Sequence, residues 1–236
     1  MLKRRNVLRF GAGAIGTSAM VAIGSNLNAA EPTPAAAPEQ VKKQDLTPEQ
    51  AIELLLEGNR RFVDRKQKYP NQTLGRLVEV AKGQKPFAAV LSCADSRVPA
   101  EIVFDQGLGD LFVCRVAGNV ATPEEIGSLE FGSLILGTKV IMVLGHKRCG
   151  AVDATLKGAS VPGQIGSLLD AIRPALQKTK PKVGGVQLED VTRENVRYQI
   201  EKLKTSPVIT QLIQDGKLKI IGGYYDLDTG AVTRLV

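Results

Sequence analysis

Residues 138–146, TKVIMVLGH, set how this chain folds. The run is apolar without interruption, rich in β-branched residues and closed by a glycine. Such a run suits a strand covered on both faces, as in a parallel sheet. PFAAVLSC (86–93), DLFVCRVAG (110–118) and GKLKIIGGYY (216–225) read the same way. Helical patterns lie between them, at roughly 123–137, 148–158, 163–179 and 187–214. Alternating strands and helices predict an α/β fold, a mostly parallel central sheet flanked by helices and joined by right-handed crossovers. YYDLDTGAVTRLV (224–236) predicts a turn at Asp228–Gly230 into a short antiparallel edge strand. No internal repeat is visible.

Order begins at TPEQ (47–50). Thr47 can cap a helix, Pro48 suits its first position and Gln50 completes a capping box. Ile52, Leu55, Leu56, Phe62 and Val63 mark one apolar face of an N-terminal helical arm ending near residue 66. Arg60, Arg61 and Asp64 lie on the opposite, solvated face. Upstream, residues 31–46 are Pro/Ala-rich and aperiodic, the composition of a flexible linker. Residues 1–30 read as an export signal: a basic start (MLKRRNVLRF), a short Gly-rich apolar stretch, and small residues for cleavage near Ala29 or Ala30. Arg4-Arg5 followed by Val7-Leu8 resembles a twin-arginine signal, which carries folded proteins across a membrane. That predicts a periplasmic or equivalent destination, including a thylakoid lumen in a photosynthetic cell. No stable membrane insertion is expected after cleavage.

Composition bounds the rest. Hydrophobic residues make up 43% and aromatic ones only 4%, so aliphatic side chains must build the core. The formal net charge is +7, but Lys3, Arg4, Arg5 and Arg9 sit in an acid-free leader, leaving +3 for the remainder. That is too little clustered charge for a nucleic-acid binder. The three cysteines include no CxxC pair.

The chain has one histidine, His146, at the end of the third core strand, and Cys93 ends the first. In an open parallel sheet, ligands gather beyond the carboxyl ends of the strands. Cys149 follows His146 by three residues, where a helix N-terminus favours a thiolate. Cys, His and Cys with an open fourth position is the pattern of a catalytic zinc site. A Cys149 nucleophile with His146 as its base is a second reading of the same residues. Cys114, mid-strand in LFVCRV, reads as buried packing.

CADSRVP (93–99) sets Asp95 and Arg97 close behind Cys93, and GHKRCGAV (145–152) follows at a distance. With FDQGLGDLFVCRVAGN (104–119), these motifs resemble the β-class carbonic anhydrases, from about residue 47 to the C-terminus. The resemblance implies a catalytic domain over 47–236, with one Zn2+ per chain held by Cys93, His146 and Cys149. It implies an acid–base dyad of Asp95 and Arg97, with Asp95 also able to close the fourth zinc position. Reversible hydration of carbon dioxide to bicarbonate would follow. Gln84 matches a substrate hydrogen-bond donor, and Phe112, Ala117, Phe131 and Gly150 match positions around the substrate. Phe131 replaces a tyrosine of plant relatives. Val90 stands where members with a bicarbonate inhibition site carry tryptophan, so no such site is expected despite Arg115. The family's habit predicts a homodimer or dimer of dimers. Carbonyl sulfide or carbon disulfide hydrolysis on the same scaffold, and a non-catalytic zinc-binding protein, are the alternatives.

Overall fold

The four apolar runs form parallel strands: β1 (Ala88–Ser92), β2 (Leu111–Arg115), β3 (Val140–His146) and β4 (Lys219–Tyr225). A short β5 (Val232–Arg234) pairs antiparallel to β4, and the sheet order is β2-β1-β3-β4-β5. The computed structural model describes residues 43–181 and 183–236; the expected export segment and most of the linker lie outside them.

Burial explains why these runs lack alternation. Every residue of β1 and β3 is buried, because helices cover both faces. The two-residue strand period sorts them onto two cores. Val90, Met142 and Leu144 face one, shared with Ala51, Ile52 and Leu55 of α1 (Pro48–Val63). Leu91, Ile141 and Val143 face the other, shared with α7 (Leu188–Leu203) and α8 (Pro207–Gln214). Glycine lets α7 approach the sheet: a Cβ on Gly145 would stand 2.7 Å from Val196 Cγ2.

α1 starts where the capping box places it. Thr47 Oγ1 accepts from Gln50 N–H, and the Gln50 side chain accepts from Thr47 N–H. Its apolar stripe lies on the chain's own sheet. Two short helices went unread in the sequence, α2 (Leu74–Val80) and α3 (Ala100–Val103). Neither is long enough to display a helical period.

The predicted 123–137 helix is α4 (Pro123–Glu130) running into a wider turn over 131–135, where Leu136 N–H reaches back five residues to Phe131 O. α5 (Gly150–Leu156) and α6 (Ile165–Lys178) fall inside their expected ranges. The 187–214 pattern is α7 and α8, not one helix. Pro207 has no N–H to continue the ladder, and Ser206 caps the new start by accepting from Ile209 N–H.

The chain moves from β1 outward to β2, then returns past β1 to place β3 on its other side. The strand order therefore reverses between β1 and β3. Loops diverge at such a point and leave a crevice at the carboxyl ends. Cys93 and His146 stand at those two ends.

Candidate metal centre

β1 delivers Cys93, β3 delivers His146, and Cys149 is the residue that caps α5. All three are buried, and their ligand atoms lie within 4.8 Å of one another. The sulfurs are 4.0 Å apart. Two thiolates at about 2.3 Å from a tetrahedral zinc would be separated by roughly 3.8 Å. His146 Nδ1 lies 2.9 Å from Lys147 O, which only accepts, so Nδ1 carries the proton. Nε2 is thereby left as a lone pair facing the sulfurs, and it is a buried atom with no hydrogen-bond partner. A soft donor set, a fixed tautomer and an orphaned nitrogen fit zinc, with Lys147 O orienting the imidazole as metal-binding histidines require.

The electrostatics of the two cysteines point the same way. Hydrogen bonding from Cys149 outweighs burial and draws the Cys93 thiol down to about 4, aided by the Gly118 and Asp95 N–H groups. Cys149, sharing that proton and buried, is pushed up. A divalent cation displacing the shared proton would be neutralised by two sulfurs and one uncharged imidazole.

The Asp95–Arg97 dyad is formed as the motif implied. Arg97 Nε donates to Asp95 Oδ1 at 2.9 Å and Nη2 to Oδ2 at 2.7 Å, with the Arg97 N–H also on Oδ1 at 2.9 Å. This guanidinium holds the Asp95 carboxyl far below the usual carboxylate range. Asp95 Oδ2 sits 3.9 Å from His146 Nε2, so the carboxylate edges the cluster.

Several residues that hold the centre were not singled out from sequence. Gly118 N–H donates to Cys93 Sγ at 3.3 Å. Gly118 has φ +78°, and Ile172 Cδ1 lies 2.6 Å from where a Cβ would be, so only glycine fits. Asn195 Nδ2 donates to Gly118 O at 2.9 Å, and Gln199 Oε1 accepts from Ala121 N–H at 2.9 Å. Gln199 Nε2 also donates to Asn195 Oδ1, joining the two fully buried amides on α7. Arg115 donates to the carbonyls of Cys93 (3.1 Å) and Asp95 (2.6 Å), so it frames the ligand loop. The β1–β2 register sets Ser92 opposite Arg115, which brings the guanidinium to the carboxyl end of β1. Asn195 and Gln199 are spaced i, i+4, but nothing local marks their partners.

The substrate candidates divide. Ala117 precedes Gly118 in the same turn, and exposed Gly150 opens α5 beside Cys149, with space where a Cβ would be. Gln84 is exposed at the amino end of β1, at least about 16 Å of strand from Cys93. Phe112 pairs with Ala89, about 13 Å down the sheet from Cys93, and packs on Phe131 with ring centroids 6.4 Å apart. Within one chain these three do not converge on the cluster. Cys114 is partly buried, and burial pushes its thiol up to about 11, in keeping with packing.

A doubly wound sheet with Cys, His and Cys at its switch point, edged by an Asp–Arg pair, carries the ligand set of a metal-dependent α/β enzyme. The carbonic anhydrase family profile matches residues 88–232. Carbonic anhydrase 2 of Mycobacterium tuberculosis is 38% identical over 188 residues, covering 78% of this chain and 90% of that one. The carbonic anhydrase of Mycolicibacterium smegmatis is 36% identical, covering 78% and 92%. Among solved structures, the β-carbonic anhydrase CcaA superposes with a TM-score of 0.61 at 27% identity, covering 78% of this chain and 94% of that one. The Coccomyxa β-carbonic anhydrase does so at 0.61 and 28%, covering 77% and 84%. The chain belongs to the β-class carbonic anhydrases.

Proposed function

We propose that this protein catalyses the reversible hydration of carbon dioxide to bicarbonate and a proton, with one zinc ion held by Cys93, His146 and Cys149. The observation that carries the proposal is the orphaned His146 Nε2 facing two sulfurs beside a guanidinium-held carboxylate. Zinc, when bound, supplies the Lewis acidity that makes a water nucleophilic near neutral pH, a chemistry for which carbonic anhydrase is itself the best-known instance.

The residues supply the rest. Two thiolates keep the centre neutral, and Lys147 O holds the imidazole in the ligating tautomer. Asp95, locked as carboxylate by Arg97, accepts a hydrogen bond at the edge of the cluster and orients the oxygen that attacks. On this reading Asp95 also serves as a fourth ligand under conditions that loosen its hold on Arg97. The single histidine is committed to the metal, so no imidazole can relay protons to solvent. Proton release then depends on external buffer.

We infer that the active unit is a homodimer, or a dimer of dimers. Gln84, Phe112 and Phe131 cannot serve their own cluster but can complete that of a second copy. The chain also exposes apolar side chains, Phe131, Leu134 and Ile135 in the wide turn and Leu74, Leu77 and Val78 on α2. The reading of residues 1–30 as a cleaved export signal stands beside this as a proposal about location, supported by the arginine pair and the small-residue segment. N-terminal sequencing of the protein recovered from the periplasm tests it.

The decisive experiment is stopped-flow carbon dioxide hydration on zinc-quantified protein, set against carbonyl sulfide turnover. Hydration should scale with zinc content and rise with buffer concentration. Carbonyl sulfide turnover exceeding hydration would replace the proposal.

A further inference from the structure

We propose that Asp226 and Asp228, in the turn between β4 and β5, are positioning residues for the metal loop. They hold Lys147 and Arg148 in the backbone shape that lets His146 and Cys149 face one ion. The inference rests on the zinc reading above and concerns residues that touch no ligand themselves.

The problem is geometric. His146 ends an extended strand and Cys149 caps a helix, so the chain must reverse direction within two residues. It does so through Arg148, at φ +55°. That left-handed conformation crowds the Cβ of every residue but glycine, and arginine has no short polar side chain to relieve it locally. Something outside the loop must offset the strain.

The β4–β5 turn does. Arg148 places both terminal nitrogens on Asp228, Nη1 on Oδ2 at 3.0 Å and Nη2 on Oδ1, a bidentate pair of fixed direction. Lys147 Nζ bridges Asp228 Oδ2 (2.8 Å) and Asp226 Oδ2 (3.1 Å). Lys147 N–H donates to Tyr225 O at 2.9 Å. On their other side the same two residues meet the centre: Lys147 O accepts from His146 Nδ1, and Arg148 O accepts from Arg97 Nη2 at 3.5 Å. Each residue is thus tied once to the turn and once to the site.

The turn is itself fixed. Asp226 Oδ1 accepts from the N–H groups of Asp228 (2.7 Å) and Thr229 (3.3 Å). From below, buried Asn59 of α1 donates to Gly230 O at 2.9 Å and accepts from Val232 N–H at 2.8 Å. A continuous set of contacts therefore runs from α1 through the turn to the zinc loop. Ordinary half-exposed ion pairs add little to stability. A positioning role differs from that in acting on the metal.

The test compares zinc-loaded, full-chain wild type with Asp228→Asn, reading zinc release to 4-(2-pyridylazo)resorcinol alongside the melting temperature of zinc-free protein. Asp228→Asn should release zinc about 5- to 30-fold faster, the factor to which a left-handed penalty of about 1–2 kcal/mol converts. Zinc-free melting should fall by no more than that same penalty allows, roughly 2–8 °C for a chain of this size. In an Arg148→Gly background, where φ +55° carries no strain, Asp228→Asn should alter release less than twofold. Release from Asp228→Asn within twofold of wild type overturns the proposal whatever happens to melting. Equal acceleration in the Arg148→Gly background also overturns it, by reducing Asp228 to a counter-charge. A wild-type chain that takes up no zinc removes the metal reading and this inference with it, and is seen before any variant is made.

Discussion

Replacing Asn195 by alanine should separate the folding role of the α7 amides from their role at the metal. Asn195 is fully buried and makes two hydrogen bonds, donating to Gly118 O and accepting from Gln199 Nε2, each at 2.9 Å. Truncation strands Gly118 O in a dry interior, which costs about 1–3 kcal/mol for an unsatisfied buried group. Gln199 Nε2 keeps a second acceptor, Ala171 O at 3.2 Å, so its loss is only the net worth of one bond, about 0.5–1.5 kcal/mol. Together the destabilisation is roughly 1.5–4.5 kcal/mol. For a chain of this size that lowers the melting temperature by roughly 3–18 °C. The Gly118 turn, freed from α7, should also hold its N–H less firmly on Cys93 Sγ, so zinc release should quicken. Calorimetry of zinc-free protein reads the first effect, and chelator competition reads the second. A melting temperature within 1 °C of wild type would defeat this account, because it would mean Gly118 O finds another partner at no cost.

Other perturbations probe other parts of the molecule. Because Arg97 depresses the Asp95 carboxyl, the dyad stabilises the fold above the ordinary carboxylate pKa near 4 and loses that effect as pH falls toward the depressed value. Asp95→Asn should therefore lower the guanidinium midpoint of zinc-free protein at pH 6 but leave it nearly unchanged at acid pH, and equal loss at both would contradict the assignment. Cys114, with its thiol pushed up to about 11, should resist iodoacetamide at pH 8 in native protein and react on unfolding, as followed by peptide mass spectrometry. Gly58→Ala should prevent α1 from seating, since its Cβ would stand 1.8 Å from Phe104 O, a backbone atom that cannot swing aside. A loss of at least about 2 kcal/mol is expected from such overpacking, measured by urea denaturation. Phe131→Ala and Gln84→Ala, both remote from their own cluster, should reduce hydration without altering zinc content, and sedimentation should show whether Phe131→Ala also weakens self-association.

The layers and the ligand set were legible in the residues alone. Strands buried on both faces must be apolar at every position, so β1 and β3 announced themselves without any three-dimensional information. Zinc chemistry restricts its ligands to few residue types, and this chain has one histidine and three cysteines to offer, so CADSRVP and GHKRCG left little choice. Helix starts were legible where capping is local, at Thr47, and the break at Ser206-Pro207 was written in residues that the periodicity of 187–214 concealed. What surrounds the ligands emerged only with the folded chain. Gly118, Arg115, Asn195 and Asp228 reach the centre through contacts spanning 20 to 80 residues, and a sequence records no such distances. Folding also placed Gln84, Phe112 and Phe131 at the wrong end of the strands to serve their own cluster. Motif matching assigns a residue to a site but not to a copy of the chain, because strand direction and register, which set where a side chain emerges, exist only once the sheet is built.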